Sequence, residues 1–398
     1  MKGNNLSSAL NKIKFDCAEW NDQAKNFFSE EILSRQKQAH SFKEKIRYIA
    51  SFCILPNFKR RKQIYFFQGI RHYHYFNNFD KSSIIIIGSR EEREFAKKNG
   101  YDFVSSLPII SAVKAYCYRD SKLLINIVFR RWKNRLRNID SIVFFIYEDT
   151  QPLGTFLNYL SKECSENSHA ICIQHGFYAK KNYPMRLEGQ NTEFNFVINE
   201  SQAKLIKSDL SKTSIIGLPY SLKAKKRHKP KTVILVGVGG VYYDNQVFEN
   251  SIVHFQKIYS IITQNFDLNI IYRPHPNELK FPLVMKRLKE TFKVIDNLDI
   301  IERLNSSSSI FIGVASSVLY QAETAGHSVA CFHSDPRQQA LLSPKAGVLD
   351  LPDFKNLTHW IESVMGEPNT KEINMPDDGD QLKIFAKAME DFYSAIRK

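Results

Sequence analysis

Leu268-Asn269-Ile270-Ile271-Tyr272-Arg273-Pro274-His275-Pro276-Asn277-Glu278 decides the fold. An apolar strand over 268–272 breaks at two prolines that flank a histidine. Proline fixes φ and removes a backbone donor, so Pro-His-Pro reads as a rigid turn at the carboxyl end of that strand. Further along, the apolar run Ile310-Phe311-Ile312-Gly313 leads through Val314-Ala315 into Ser316-Ser317, and Val318-Leu319-Tyr320-Gln321-Ala322 starts a helix. The serine pair then sits at a helix N-terminus, where free N–H groups, two hydroxyls and the positive end of the dipole point one way. Such a place binds anions, phosphate above all. In open α/β sheets ligands collect at the carboxyl ends of the strands, so the histidine turn and the serine pair converge on one pocket. The expectation is a nucleotide-phosphate pocket in the C-terminal half, contributed by Arg273, His275, Pro276, Ser316 and Ser317. A structured turn for His275 and an ordinary helix cap for the serines are the competing readings.

The rest of the chain bounds this reading. With 398 residues, length points to two domains, and 43% hydrophobic with 24% charged residues is a globular composition. A net charge of +15 calls for an anionic partner: nucleic acid, an anionic membrane face or a phosphorylated substrate. No compact nucleic-acid motif is present, so nucleic acid is not expected as a partner. The cysteines (Cys17, Cys53, Cys117, Cys164, Cys172 and Cys331) form no C-x-x-C, which argues against a zinc site or a redox motif and suits a reducing cytoplasm. The N-terminus lacks the apolar stretch of a signal peptide, and no run approaches the roughly 18 apolar residues of a membrane span. A cytoplasmic location follows as the expectation, with peripheral attachment to the inner face of the membrane left open.

Residues 1–62 read as a helical, amphipathic extension. Lys59-Arg60-Arg61-Lys62, Tyr65-Phe66-Phe67 and Arg71-His72-Tyr73-His74-Tyr75-Phe76 mix cations with aromatics, a pattern that seats proteins on anionic leaflets when it is not simply a solvated face. Strands and helices then alternate through 63–222, with Ile84-Ile85-Ile86-Ile87-Gly88 as a strand buried on both faces of a parallel sheet. Residues 223–231 are a basic, proline-bounded linker, and a second α/β unit fills 232–398. Its final helix is free to pack back on the first unit. The strand Thr232–Val236 runs into Gly237-Val238-Gly239-Gly240, where glycine, Gly239 in particular, lets backbone approach a ligand. This is not the full dinucleotide fingerprint, so no nicotinamide cofactor is expected. Two such domains imply a cleft between them.

In the first domain, one buried strand ends in Glu148-Asp149 and another in Gln174-His175-Gly176. A carboxylate or histidine at that edge can serve as general base toward a substrate hydroxyl. Helix capping by Asp149 and a turn role for His175 compete with that reading.

Two α/β domains with an acidic pair, then a histidine-proline turn, then a serine pair resemble the GT-B glycosyltransferases that use CMP-sugars, in particular the bacterial sialyltransferases. The resemblance implies Asp149 as general base beside Glu148, with His275, Ser316 and Ser317 on the CMP phosphate and Glu302 on the ribose. It implies inverting, metal-independent transfer from a CMP-sugar, sialic acid or Kdo, to a glycan or glycolipid acceptor such as lipooligosaccharide or capsule. Neither metal nor cofactor is then expected, since fixed donors and the helix dipole can offset the leaving charge. Thr150 stands where the family usually has glycine. Gln174-His175-Gly176 with Arg273-Pro274-His275-Pro276 also resembles the Kdo transferases and the teichoic-acid glycerophosphotransferases. Three alternatives therefore stand beside CMP-sugar transfer: a CDP-glycerol phosphotransferase, a UDP-sugar transferase or 2-epimerase of the same fold, and a non-catalytic polysaccharide-assembly protein.

Overall fold

The β-branched run at 84–88 becomes strand β2 (Ile84–Gly88), buried at every position. A computed structural model describes residues 61–112, 122–147, 152–174, 192–205, 212–217, 229–237, 245–276, 278–296, 298, 300–305, 308–314, 317–332, 346–366 and 378–397. Flanking β2 are β1 (Gln63–Gln68) and β3 (Asp102–Ser105), with β4 (Ser141–Ile146), β5 (Ser168–Ile173), β6 (Phe194–Val197) and β7 (Thr213–Ile215) beyond β1. They form one seven-stranded sheet in the order β3-β2-β1-β4-β5-β6-β7, every pair parallel. Parallel strands need crossover helices. These are α1 (Arg90–Asn99), α2 (Lys122–Leu136), α3 (Pro152–Cys164) and α4 (Glu200–Leu205). Local signals set α1: the Glu92 carboxylate accepts the Ser89 N–H at 2.7 Å at its start, and Gly100 at φ +68° ends it.

Alternation along each strand feeds two cores. Ile64, Phe66, Ile85, Ile87, Ile142 and Phe144 face α2 and α3, whereas Tyr65, Phe67, Ile84, Ile86, Val143 and Phe145 face the other way. This overturns the reading of the aromatic stretch as a membrane seat. Phe66 and Phe67 are buried in the central strand, and Tyr75 and Phe76 are buried over the second face, so these rings are core. Arg61 is ion-paired with Asp102, and Lys59 and Arg60 lie outside the described residues.

The second sheet contains β8 (Thr232–Val236), β9 (Asn269–Arg273), β10 (Ile310–Gly313), β11 (Ser328–Cys331) and β12 (Gly347–Val348), in the order β12-β11-β10-β8-β9 and again all parallel. One face packs under α5 (Asn245–Asn265), α6 (Pro282–Thr291) and α9 (Leu357–Gly366), through Phe255, Leu288 and Leu357 among others. The opposite face packs α7 (Ile300–Leu304) and α8 (Ser317–Thr324), through Leu304, Leu319 and Ala322. Neither β3 nor β12 was expected, because segments of four and two residues carry too little periodicity to read.

The last helix, α10 (Asp378–Ile396), lies on the first sheet, not the second. Phe385 stacks on Tyr75 at 4.2 Å between centroids, and the Tyr393 hydroxyl meets those of Tyr65 at 2.8 Å and the Gln63 amide at 2.7 Å. In addition, Ile198 at the end of β6 is packed among Val236, Phe311 and Leu319 of the second unit, so the two units touch there. Cys164, Cys172 and Cys331 are buried and form no disulfide, and burial pushes the Cys331 thiol up to about 11. Residues 1–60 of the expected extension and 218–228 of the connecting segment lie outside the described residues. Among those described, no helix is long and apolar enough to cross a membrane.

Candidate functional site

Strand register lines up the carboxyl edge of the second sheet. Val236 is paired with Arg273 on one side and with Gly313 on the other, and Gly313 is paired with Cys331. The chain leaves this row at Gly237 from β8, at Pro274-His275 from β9 and at Val314 from β10. Between β8 and β10 the strand order reverses, and such a switch point is where open α/β sheets bind ligands.

The histidine turn is held from below. Glu278 is wholly buried, and its carboxylate accepts the His275 N–H at 2.8 Å while its own N–H donates to the His275 carbonyl at 2.8 Å. The Tyr272 hydroxyl donates to the same carboxylate at 3.2 Å. Burial, and then the neighbouring Glu278 charge, hold the Tyr272 phenol well above its ordinary range. Gly237 donates to the Arg273 carbonyl at 2.8 Å, and a Cβ there would overlap the Glu278 carboxylate and stand 2.7 Å from His275 N. Only glycine lets this backbone come so close. His275 and Arg273 are half-buried, and Pro276 is exposed.

Ser317 opens α8 and is half-buried, so one expected serine stands at a helix N-terminus; Ser316 lies outside the described residues. Glu302 is on α7 and exposed. That helix is fixed by its neighbour: Arg303 Nε donates to buried Asp296 at 2.7 Å, and the Leu298 N–H donates to the same carboxylate at 3.0 Å. Asp296 itself follows a short parallel pairing of Ile295 with Tyr272, so α7 is tied to the β9 edge.

At the carboxyl edge of the first sheet, the switch point falls between β1 and β4. Gly69, at φ +77°, stands where a Cβ would be 3.1 Å from the Tyr147 ring, and the Arg71 guanidinium lies 5.0 Å over that ring. Exposed Arg71 is a cation at this edge that the sequence reading gave no site role. Its signal was glycine directly after a strand-like run, masked by the neighbouring aromatics. Glu148 and Asp149 follow Tyr147 and lie outside the described residues, as do His175 and Gly239.

Gln174, immediately before His175, is a buried clip. Its oxygen accepts the Ile198 N–H at 3.0 Å and its amide donates to Gln202 at 2.6 Å. Asn199 caps α4 by accepting the Gln202 N–H at 3.0 Å and donates across to the Tyr320 hydroxyl of α8 at 3.1 Å. A polar chain thus runs from the end of β5 to the helix that begins at Ser317. Sequence reading also gave Glu278 no role, although its spacing of three from His275 is that of a closed turn.

No family model and no curated protein matches this chain. Solved structures do. Staphylococcus aureus MnaA, in a co-structure with UDP, is similar at a TM-score of 0.54 and 12% identity over 85% of this chain and 98% of that one. Methanocaldococcus jannaschii UDP-GlcNAc 2-epimerase, in complex with UDP-GlcNAc and UDP, is similar at 0.51 and 13% over 82% and 99%. Two parallel sheets in sequence, the switch points of both and this end-to-end similarity give the chain the two-domain GT-B fold.

Proposed function

We propose that this chain is an enzyme acting on a nucleotide sugar, with a uridine diphosphate sugar as the substrate class and the nucleotide held by the second domain. The observation that carries the reading is the edge at Gly237, where the His275 turn, locked by Glu278, and the start of α8 flank one switch point. The UDP in the S. aureus and M. jannaschii structures supports a uridine nucleotide over CMP. In this reading Arg273, His275, Ser316, Ser317 and the α8 dipole face the phosphates, Gly237 and Gly239 give the backbone room, and Glu302 takes the ribose hydroxyls. Asp149, Glu148 and His175 are the groups of the first domain that would move a proton at the sugar.

The name of the M. jannaschii protein favours epimerisation of the sugar as the reaction. Glycosyl transfer is the second reading, favoured by the order of acidic pair, histidine-proline turn and serine pair. There, Asp149 takes the proton of an acceptor hydroxyl as it attacks, and the leaving phosphate is stabilised by His275 and the serines. Transfer from a CMP-sugar rests on the sequence resemblance alone.

Incubating the full chain with UDP-GlcNAc and no acceptor separates the two. An epimerase builds up the epimeric UDP-sugar to an equilibrium ratio, read by proton NMR of the anomeric signals. An unchanged donor that is consumed only when a glycan acceptor is added assigns transfer. Neither outcome, with CMP binding in place of UDP binding, would sink the UDP-sugar reading.

A further inference from the structure

Among the described residues, the first unit buries three glutamines: Gln68, Gln174 and Gln202. Gln174 and Gln202 bond to one another at 2.6 Å, and the Gln174 oxygen also accepts the Ile198 N–H. Gln68 is 5% exposed, and its side-chain oxygen has no hydrogen-bond partner. Strand register gives the reason. Side chains alternate along β1, so Gln68 falls on the face of Ile64 and Phe66. Its partner on β2 is Ile87, and Ile146 stands one residue past the Phe67–Phe145 pair on β4. Both isoleucines belong to the same apolar core and offer nothing to an amide. An acceptor buried without a donor is costly, and folded proteins keep few of them.

The place of this one in the fold points to a ligand. Gln68 is the last residue of β1, at the switch point between β1 and β4, and Gly69 at φ +77° turns the chain out of the sheet directly after it. Open α/β sheets bind ligands at that edge. The terminal torsion of glutamine is broad, so the amide can turn its oxygen to a group arriving there. We propose that Gln68 is a specificity-determining residue, whose side-chain oxygen accepts a hydrogen bond from the sugar of the nucleotide sugar, from a hydroxyl or an acetamido N–H. This rests on the nucleotide-sugar reading and adds to it a group that tells one sugar from another. An acceptor oxygen selects a donor: a hydroxyl or N–H is bound at that place, and a carboxylate oxygen is rejected.

The test is isothermal titration of the full chain with UDP and with UDP-GlcNAc, alongside thermal melting without ligand. Wild type should bind both. Gln68→Leu should weaken UDP-GlcNAc about tenfold and leave UDP within about twofold, because the proposed nucleotide site is in the second domain. The same variant should melt no lower than wild type, since it takes a polar group out from among isoleucines. Gln68→Met carries the test if the leucine variant does not fold. UDP-GlcNAc affinity that is unchanged in the variant overturns the proposal, as does an equal loss for both ligands. A variant that melts well below wild type also overturns it, because Gln68 would then hold a structural partner such as a buried water. Wild type that binds neither ligand sinks the nucleotide-sugar reading and this inference together. UDP binding that survives while the leucine variant keeps full UDP-GlcNAc affinity sinks this inference alone.

Discussion

The carboxylate of Glu278 accepts the backbone N–H of His275 at 2.8 Å, and the Glu278 N–H returns a bond of 2.8 Å to the His275 carbonyl. The backbone of the histidine turn is therefore positioned by a side chain buried beneath it. Glu278→Ala strips a fully buried acceptor from two donors, His275 N–H and Tyr272 O–H, and should cost about 3 kcal/mol. Glu278→Gln keeps one acceptor oxygen for His275 and should cost about 1 kcal/mol. Urea unfolding of both variants checks the order, and equal losses would mean that the His275 bond is not what Glu278 supplies.

Gly237→Ala places a methyl against the Glu278 carboxylate and 2.7 Å from His275 N. The obstacle includes backbone, so the histidine turn has to move. A destabilisation of about 2 kcal/mol is expected, with weaker UDP binding at temperatures where the variant remains folded. Unchanged UDP affinity would separate this glycine from the site.

Asp296 gives a pH signature. Its burial acts to raise the carboxyl, but hydrogen bonds from Arg303 and Leu298 and the charges of Arg303 and Arg273 outweigh that and hold it below the usual carboxylate range. A depressed folded value means that the contribution is complete above the unfolded value, near 4, and is lost as pH falls through the folded one. Asp296→Ala should cost about 3 kcal/mol at neutral pH. The difference between wild type and variant should narrow as the pH drops below about 4. A gap independent of pH would exclude the charge as its cause.

Much of this architecture was legible because buried parallel strands announce themselves. Ile84–Gly88 and Thr232–Val236 are continuous apolar runs, and Pro274-His275-Pro276 and Ser317 mark the turn after one strand and the helix start after another. The aromatic run at 65–76 misled for a physical reason: Tyr65, Phe66 and Phe67 alternate between two cores, and beside cations such a run has the composition of an interfacial seat. Roles that depend on contacts distant in sequence were invisible. Nothing in Asn199 announces the Tyr320 hydroxyl, and nothing in Phe385 announces Tyr75.

The Asn199–Tyr320 hydrogen bond joins the two units beside α8. A double-mutant cycle of Asn199→Ala and Tyr320→Phe should return a coupling of about 1 kcal/mol, read from melting of the two singles and the double. Simple additivity would show that the units meet through apolar contact such as that of Ile198 and not through this bond.

Thermal melting of the full chain with UDP, CMP, CDP and GDP at matched concentrations bears most directly on the proposed nucleotide site. A ligand that binds only the folded state raises the midpoint by mass action. UDP should raise it more than CMP, and His275→Ala should remove most of the UDP shift. A larger shift with CMP, or none with any nucleotide, would contradict a uridine diphosphate site at the Gly237 edge.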